Sequence, residues 1–129
     1  MVNLHTALGD IRIALETERA PITSQNFLRY VDAKRFDNTT FYRAARSKRI
    51  PGKGLIQGGI NHKIPKSFLP IKHEPTTVTG VHHLDGTLSM ARNEVNSAMG
   101  DFLITLGAAP DLDARGTYPG YAAFGHVIS

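Results

Sequence analysis

Three short segments hold the polar side chains best suited to act on another molecule. Phe41-Tyr42-Arg43 sets an arginine on a short apolar stretch, and Leu55-Ile56-Gln57-Gly58-Gly59 does the same for a glutamine. Ser89-Met90-Ala91-Arg92 supplies a third such stretch. An arginine keeps its charge at any working pH and presents its donors in a rigid fork. A glutamine amide both donates and accepts. The chain has no cysteine, and no nucleophile–base pair or metal cluster stands near these residues. The set suits a reaction steered by oriented charge and hydrogen bonds, in which no covalent bond breaks.

Other chemistry is weaker in the sequence. There are six histidines, but His82 and His83 are adjacent and would face opposite sides of a strand. His62, His73 and His126 lack the spacing of a helical zinc motif. Asp111 and Asp113 flank Leu112 and read as a solvated turn, and Ser47 and Ser97 have no triad context. Neither a metal nor a cofactor is expected.

The elements that must position these side chains are short. Val2, Leu4 and Thr6 alternate, as do Ile11, Ile13 and Leu15, with Gly9-Asp10 between them, which predicts a β-hairpin. Pro21 suits the first turn of a helix over residues 21–33. Phe27, Leu28 and Val31 give that helix an apolar face, and Lys34 and Arg35 suit its negative end. Further strands are expected at 40–43, 55–57, 87–90, 102–106 and 123–128. Residues 60–80 carry Pro65, Pro70 and Pro75 and read as a long ordered excursion. Many short strands with one helix predict a mainly β single domain over residues 1–129, rolled into a closed or nearly closed antiparallel barrel.

Composition sets limits on partners. The 129 residues suffice for one core of ordinary size. No apolar run approaches a membrane span, so no membrane partner is expected. Net charge is +4, and the densest basic stretch is Arg43, Arg46, Lys48, Arg49 and Lys53. It lacks the interleaved aromatics of a single-strand binder and reads as a solvated loop, so no nucleic-acid partner is expected. No signal peptide is visible, which suits the cytoplasm; a leader removed before Met1 would place the protein in the periplasm.

Seven segments in register, from about Leu4 to Ile128, resemble the cyclophilin-type peptidyl-prolyl cis-trans isomerases. They are Ala20-Pro21 with Asn26-Phe27, Phe36-Asp37 with Thr40-Phe41-Tyr42-Arg43, Gln57-Gly58-Gly59, and Gly86-Thr87-Leu88-Ser89-Met90-Ala91-Arg92. Asp101-Phe102-Leu103-Ile104, Leu112-Asp113 and Gly120-Tyr121-Ala122-Ala123-Phe124-Gly125 complete the set. The resemblance implies a cyclophilin-like antiparallel β-barrel with an N-terminal capping helix. It implies rotation about the Xaa-Pro peptide bond, whose barrier is roughly 20 kcal/mol, with proline-containing polypeptides as substrates. Arg43 and Gln57 match the catalytic positions. Leu55, Leu103, Leu112 and Tyr121 match the proline pocket, and Ala91 and Arg92 match the segment whose backbone N–H and C=O meet an extended peptide.

Several positions depart from the family pattern. Gly54 stands where phenylalanine is usual, Leu55 for methionine or leucine, Leu103 for phenylalanine and Asp101 for glutamine. Asp111 takes a normally aromatic position, which carries the cyclosporin contact in the family. Extra sequence at 44–53 separates Arg43 from Gln57. Each lost aromatic contact is worth about 0.5–1.5 kcal/mol, so weakened isomerase activity is expected, and Leu103→Phe should tighten proline binding. A non-catalytic proline-peptide-binding module and an inactive fragment are the alternatives. The family's second helix and closing strand are expected to be missing, leaving the domain incomplete at its C-terminus. A complete domain would be a monomer. An open edge beside residues 123–128 would permit self-association or lower stability.

Overall fold

The computed structural model describes residues 1–47, 51–61 and 63–128. Lys48 and Arg49 of the basic stretch, His62, and part of the 44–53 insertion lie outside the described residues. The opening hairpin is formed by β1 (Val2–Thr6) and β2 (Gly9–Leu15), in register from Val2 opposite Ile13 to Thr6 opposite Gly9. The turn is therefore Ala7-Leu8 rather than Gly9-Asp10. Thr6 Oγ1 closes it, donating to the Gly9 carbonyl at 2.6 Å and accepting from the Leu8 N–H at 3.2 Å.

The remaining elements are α1 (Pro21–Asp32), β3 (Phe41–Arg46), β4 (Gly54–Gly59), a one-turn helix α2 (Thr76–Thr79), β5 (Thr87–Met90), β6 (Asp101–Leu106) and β7 (Ala123–Val127). The seven strands make one antiparallel sheet in the order β1-β2-β7-β5-β6-β4-β3, curled into a half-barrel. Its free edges are β1 and β3. The expected edge beside residues 123–128 is not one, because β7 lies between β2 and β5: Leu15 pairs with Gly125, and Leu88 pairs with Gly125 from the other side. A cleft of about 470 Å³ opens where the two free edges approach, lined by Val2, Leu4, Phe36, Phe41 and Phe102 among others.

The inner face of the sheet holds the core. Ile13, Leu88, Met90, Phe102, Ile104 and Phe124 gather there around Phe27 of α1. Phe27 meets the Phe102 ring edge-on at 5.2 Å. The helix buries Thr23, Ser24, Asn26, Phe27 and Tyr30, whereas Leu28 and Val31 are only partly covered, so its buried face is more polar than the apolar spacing predicts. Pro21 begins the helix as expected, but the cap comes from far away. The buried Glu74 carboxylate accepts from the Thr23 N–H at 2.7 Å, the Thr23 hydroxyl at 2.6 Å and the Ile22 N–H at 3.2 Å. It satisfies donors that α1 cannot satisfy itself and complements the helix dipole. This bond set, with Ile71 N–H to Ala98 O at 3.0 Å, pins the 60–80 excursion to the body. Gly100 is required by packing: a Cβ there would lie 2.7 Å from the Tyr30 ring.

Candidate functional site

Residues paired across an antiparallel sheet project from the same face. Arg43 pairs with Gln57, Gln57 with Leu103, Leu103 with Ser89, and Ser89 with Ala123. One row of side chains therefore crosses five strands on the outer face, opposite the core. Leu55, two residues before Gln57, shares that face and pairs with Thr105; Asp101 shares it and pairs with Gly59.

A β-bulge makes the Arg43 end of this row. Phe41 pairs with Gly58 but Arg43 pairs with Gln57, so the register slips by one residue at Tyr42. The slip sends Phe41 inward, against Phe102 at a ring separation of 6.0 Å. It leaves both Tyr42 and Arg43 directed outward, which a regular strand cannot do. Gly58 permits it, since a Cβ there would approach the Phe41 ring to 2.9 Å.

Four side chains then join in sequence. Arg43 Nη1 donates to Gln57 Oε1 at 3.0 Å, Gln57 Nε2 donates to Tyr42 Oη at 2.9 Å, and Tyr42 Oη donates to Asp101 Oδ1 at 3.0 Å. Arg43 is exposed, whereas Gln57 and Asp101 are buried. Burial pushes the Tyr42 hydroxyl up to about 12, and the negative Asp101 adds to the shift. Tyr42 thus remains a protonated donor across the neutral range. The arrangement offers solvent a fixed guanidinium whose donors can meet a developing acceptor.

The remaining candidates lie on the segments after β5 and β6. Leu112 sits in the turn Pro110–Leu112, and Tyr121 is tied to it by N–H to Leu112 O at 2.9 Å. Arg92 lies over the Tyr121 ring at 4.7 Å, donates to Asn93 O at 3.0 Å, and also donates to Gly120 O. Its side chain therefore holds Tyr121. Arg92 Nε is shielded from solvent without an acceptor among the described residues. The Ala91 N–H, expected to meet substrate, instead donates to Asp101 O at 3.0 Å as β5 runs on beside β6. Leu103 is 5% exposed, so it forms the floor of the row rather than an open wall. Leu55, Leu112 and Tyr121 are half-buried, and Asp111 is exposed. The backbone joins the two groups through Met90 N–H to Ala122 O at 3.0 Å.

Beneath the Leu103–Ser89 end lies a feature the sequence hid. His83 Nδ1 meets Asp113 Oδ1 at 2.6 Å and its Nε2 meets Ser89 Oγ at 2.7 Å; the His83 N–H also donates to Asp113 Oδ1, at 3.0 Å. A carboxylate only accepts, so Nδ1 carries the proton and Ser89 donates to Nε2. This serine–histidine–aspartate order has the bonds of a nucleophilic triad, but Ser89 is fully buried and the set ties the 110–121 segment to β5. Asp113 is thus a structural acceptor rather than part of a solvated turn, and His82 and His83 do differ in environment, exposed and buried. Among the described residues no three His, Asp or Glu side chains gather as a metal site, and no helix is long and apolar enough to cross a membrane. Tyr42 joins the site without a signal in the sequence, and Asp101 stands out there only as a departure from the family's glutamine. The alternation of a strand directs Tyr42 away from Arg43, and only a bulge reverses that.

Comparison with known proteins places this geometry in context. The family described as cyclophilin type peptidyl-prolyl cis-trans isomerase/CLD matches residues 1–129. A peptidyl-prolyl cis-trans isomerase of Acinetobacter baylyi is 37% identical over 129 residues, covering 99% of this chain and 66% of the relative. Peptidyl-prolyl cis-trans isomerase B of Escherichia coli is 35% identical over 132 residues, covering 99% of this chain and 77% of that protein. The chain therefore spans about two thirds to three quarters of the length of these relatives. Among solved structures, a Cryptosporidium parvum cyclophilin-type isomerase, crystallised in the presence of the dipeptide Ala-Pro, superposes with a TM-score of 0.76 at 26% identity. That match covers 98% of this chain and 77% of that structure.

Proposed function

Because the chain belongs to the cyclophilin-type peptidyl-prolyl cis-trans isomerase family, we propose that it catalyses rotation about Xaa-Pro peptide bonds in polypeptide substrates. The observation that carries this reading is the exposed Arg43 guanidinium held at 3.0 Å by the buried Gln57. A twisted prolyl amide loses its resonance, and its nitrogen becomes pyramidal and accepts a hydrogen bond. A guanidinium aimed at that nitrogen favours the transition state over either planar ground state, which is the requirement for catalysis. Gln57 keeps Arg43 in place, Leu55 and Leu112 receive the ring above the covered Leu103 floor, and Tyr121 stands beside it. Arg92 acts through Tyr121, and the Ala91 segment contacts the substrate by groups other than its N–H. The reaction draws on no cofactor.

The activity is weaker than is usual for the family, because the pocket lacks the aromatic walls replaced by Leu103 and Asp111. Association between copies through the free β1 and β3 edges accompanies it at high concentration. The test is cis–trans exchange of an Xaa-Pro peptide followed by NMR with the chain at substoichiometric amounts. Accelerated exchange supports the reading. Background exchange with peptide bound favours a non-catalytic binding module, and neither exchange nor binding removes both.

A further inference from the structure

The polar chain that ends on Arg43 begins at a buried carboxylate on another strand. Asp101 is 4% exposed, and its Oδ1 accepts from the Tyr42 hydroxyl at 3.0 Å and from the Asn61 N–H at 2.7 Å. A carboxylate only accepts. The Tyr42 proton is therefore committed to Asp101, and its oxygen turns lone pairs toward Gln57. Gln57 must answer with its NH2 group, at 2.9 Å, which leaves its carbonyl oxygen facing Arg43, at 3.0 Å. The opposite flip of the amide would set NH2 against the guanidinium, donor against donor. The direction of every bond in the chain is thus fixed consistently from both ends, by an acceptor that cannot donate and a guanidinium that cannot accept.

Resting on the isomerase reading above, we propose that Tyr42 and Asp101 are positioning residues for the reaction. They lock the Gln57 amide in one flip and so hold Arg43 where the prolyl nitrogen pyramidalises. Asp101 serves as the remote counter-charge of Arg43, relayed through two neutral groups. Two independent observations support this. The bulge at Tyr42 has the effect of bringing this hydroxyl onto the Arg43 face. The relay is buried at Asp101 and Gln57, half-buried at Tyr42 and exposed at Arg43, and toward its low-dielectric buried members linked hydrogen bonds polarise one another.

The test uses the whole chain and two substitutions, each read twice. Tyr42→Phe removes the acceptor for Gln57. It should lower kcat on the order of tenfold, the worth of one hydrogen bond to this network, with KM little changed. In the free protein it should also shift and broaden the Gln57 side-chain NH2 resonances. Asp101→Asn keeps one oxygen that can face both donors, removes the charge and sets an NH2 group in place of the second oxygen. It should give a smaller fall in kcat and a smaller shift of the same resonances. Unchanged Gln57 resonances in either variant overturn the proposal, as does a fall in kcat without them. If Tyr42→Phe does not fold, Asp101→Asn alone decides on the same readout. Gln57 resonances that move as described in the variants, while the wild type shows no isomerase activity, would uphold the positioning and remove the catalytic reading instead.

Discussion

The two ends of the outer row are built alike and deliver opposite things. At one end, Asp101, Tyr42 and Gln57 pass a chain of hydrogen bonds outward to an exposed cation, Arg43. At the other, Ser89, His83 and Asp113 pass a similar chain to a turn and present no charge at the row itself. The first end stands on paired strands, where register fixes direction. The second ties down a loop, where a buried histidine replaces the missing ladder. On the proposed reading, a polar relay serves function where it ends on an open, charged donor, and architecture where both its ends are closed.

That contrast can be broken most sharply at Arg43. Arg43→Ala should lower isomerisation by about two decades, the loss of one oriented donor, with a smaller effect on peptide binding and an unchanged melting temperature. A comparable fall in stability would erase the distinction between the two ends. Asp113→Ala should do the reverse. It strips the shared acceptor from the His83 ring and from the His83 N–H, and should cost about 3 kcal/mol in urea denaturation. Turnover per folded molecule should fall far less than in Arg43→Ala.

Leu103 lies between the two ends, and its burial changes what the sequence predicts for it. Leu103→Phe inserts volume into a covered floor. The expected outcome is a loss of about 1–2 kcal/mol of stability, measured by thermal unfolding, in place of tighter proline binding. Tighter binding with full stability would show that the floor opens to substrate.

The smallest effect concerns pH. Burial lowers the His83 pKa below its ordinary 6.5, and the Asp113 hydrogen bond opposes this only in part. The folded state therefore binds fewer protons than the unfolded state in this range. The contribution of His83 is fully present above roughly pH 6.5 and is lost as pH falls through the folded pKa. Unfolding free energies at neutral and mildly acidic pH should differ more in the wild type than in His83→Gln. An equal difference in both would assign the acid sensitivity to other groups.

Much of this is legible in the sequence because it depends on short-range pattern. The alternation of Val2, Leu4 and Thr6 with Ile11, Ile13 and Leu15 is a local signal, and β1 and β2 follow it. Pro21 announces the start of α1. The choice of Arg43 and Gln57 comes from the resemblance to the family, and the register of β3 on β4 brings them together. What is not legible depends on pairing over long separations. Nothing near Pro21 reveals that Glu74 caps the helix. Nothing in the local pattern from Ala123 to Val127 reveals which strands flank β7. An edge expected there lies instead at β1 and β3. A bulge adds one residue to one side of a ladder, and strand alternation alone sends Tyr42 to the core.

On the proposed mechanism the Arg43 guanidinium, as a fixed fork of donors, turns the prolyl bond. The most direct measurement compares the wild type with Arg43→Lys in cis–trans exchange of one Xaa-Pro peptide by NMR, with peptide affinity measured alongside. Lysine keeps the charge but gives up the planar fork that Gln57 holds. The account predicts exchange above background in the wild type and a fall of roughly tenfold or more in Arg43→Lys at similar affinity. Equal exchange rates in the two proteins would contradict it.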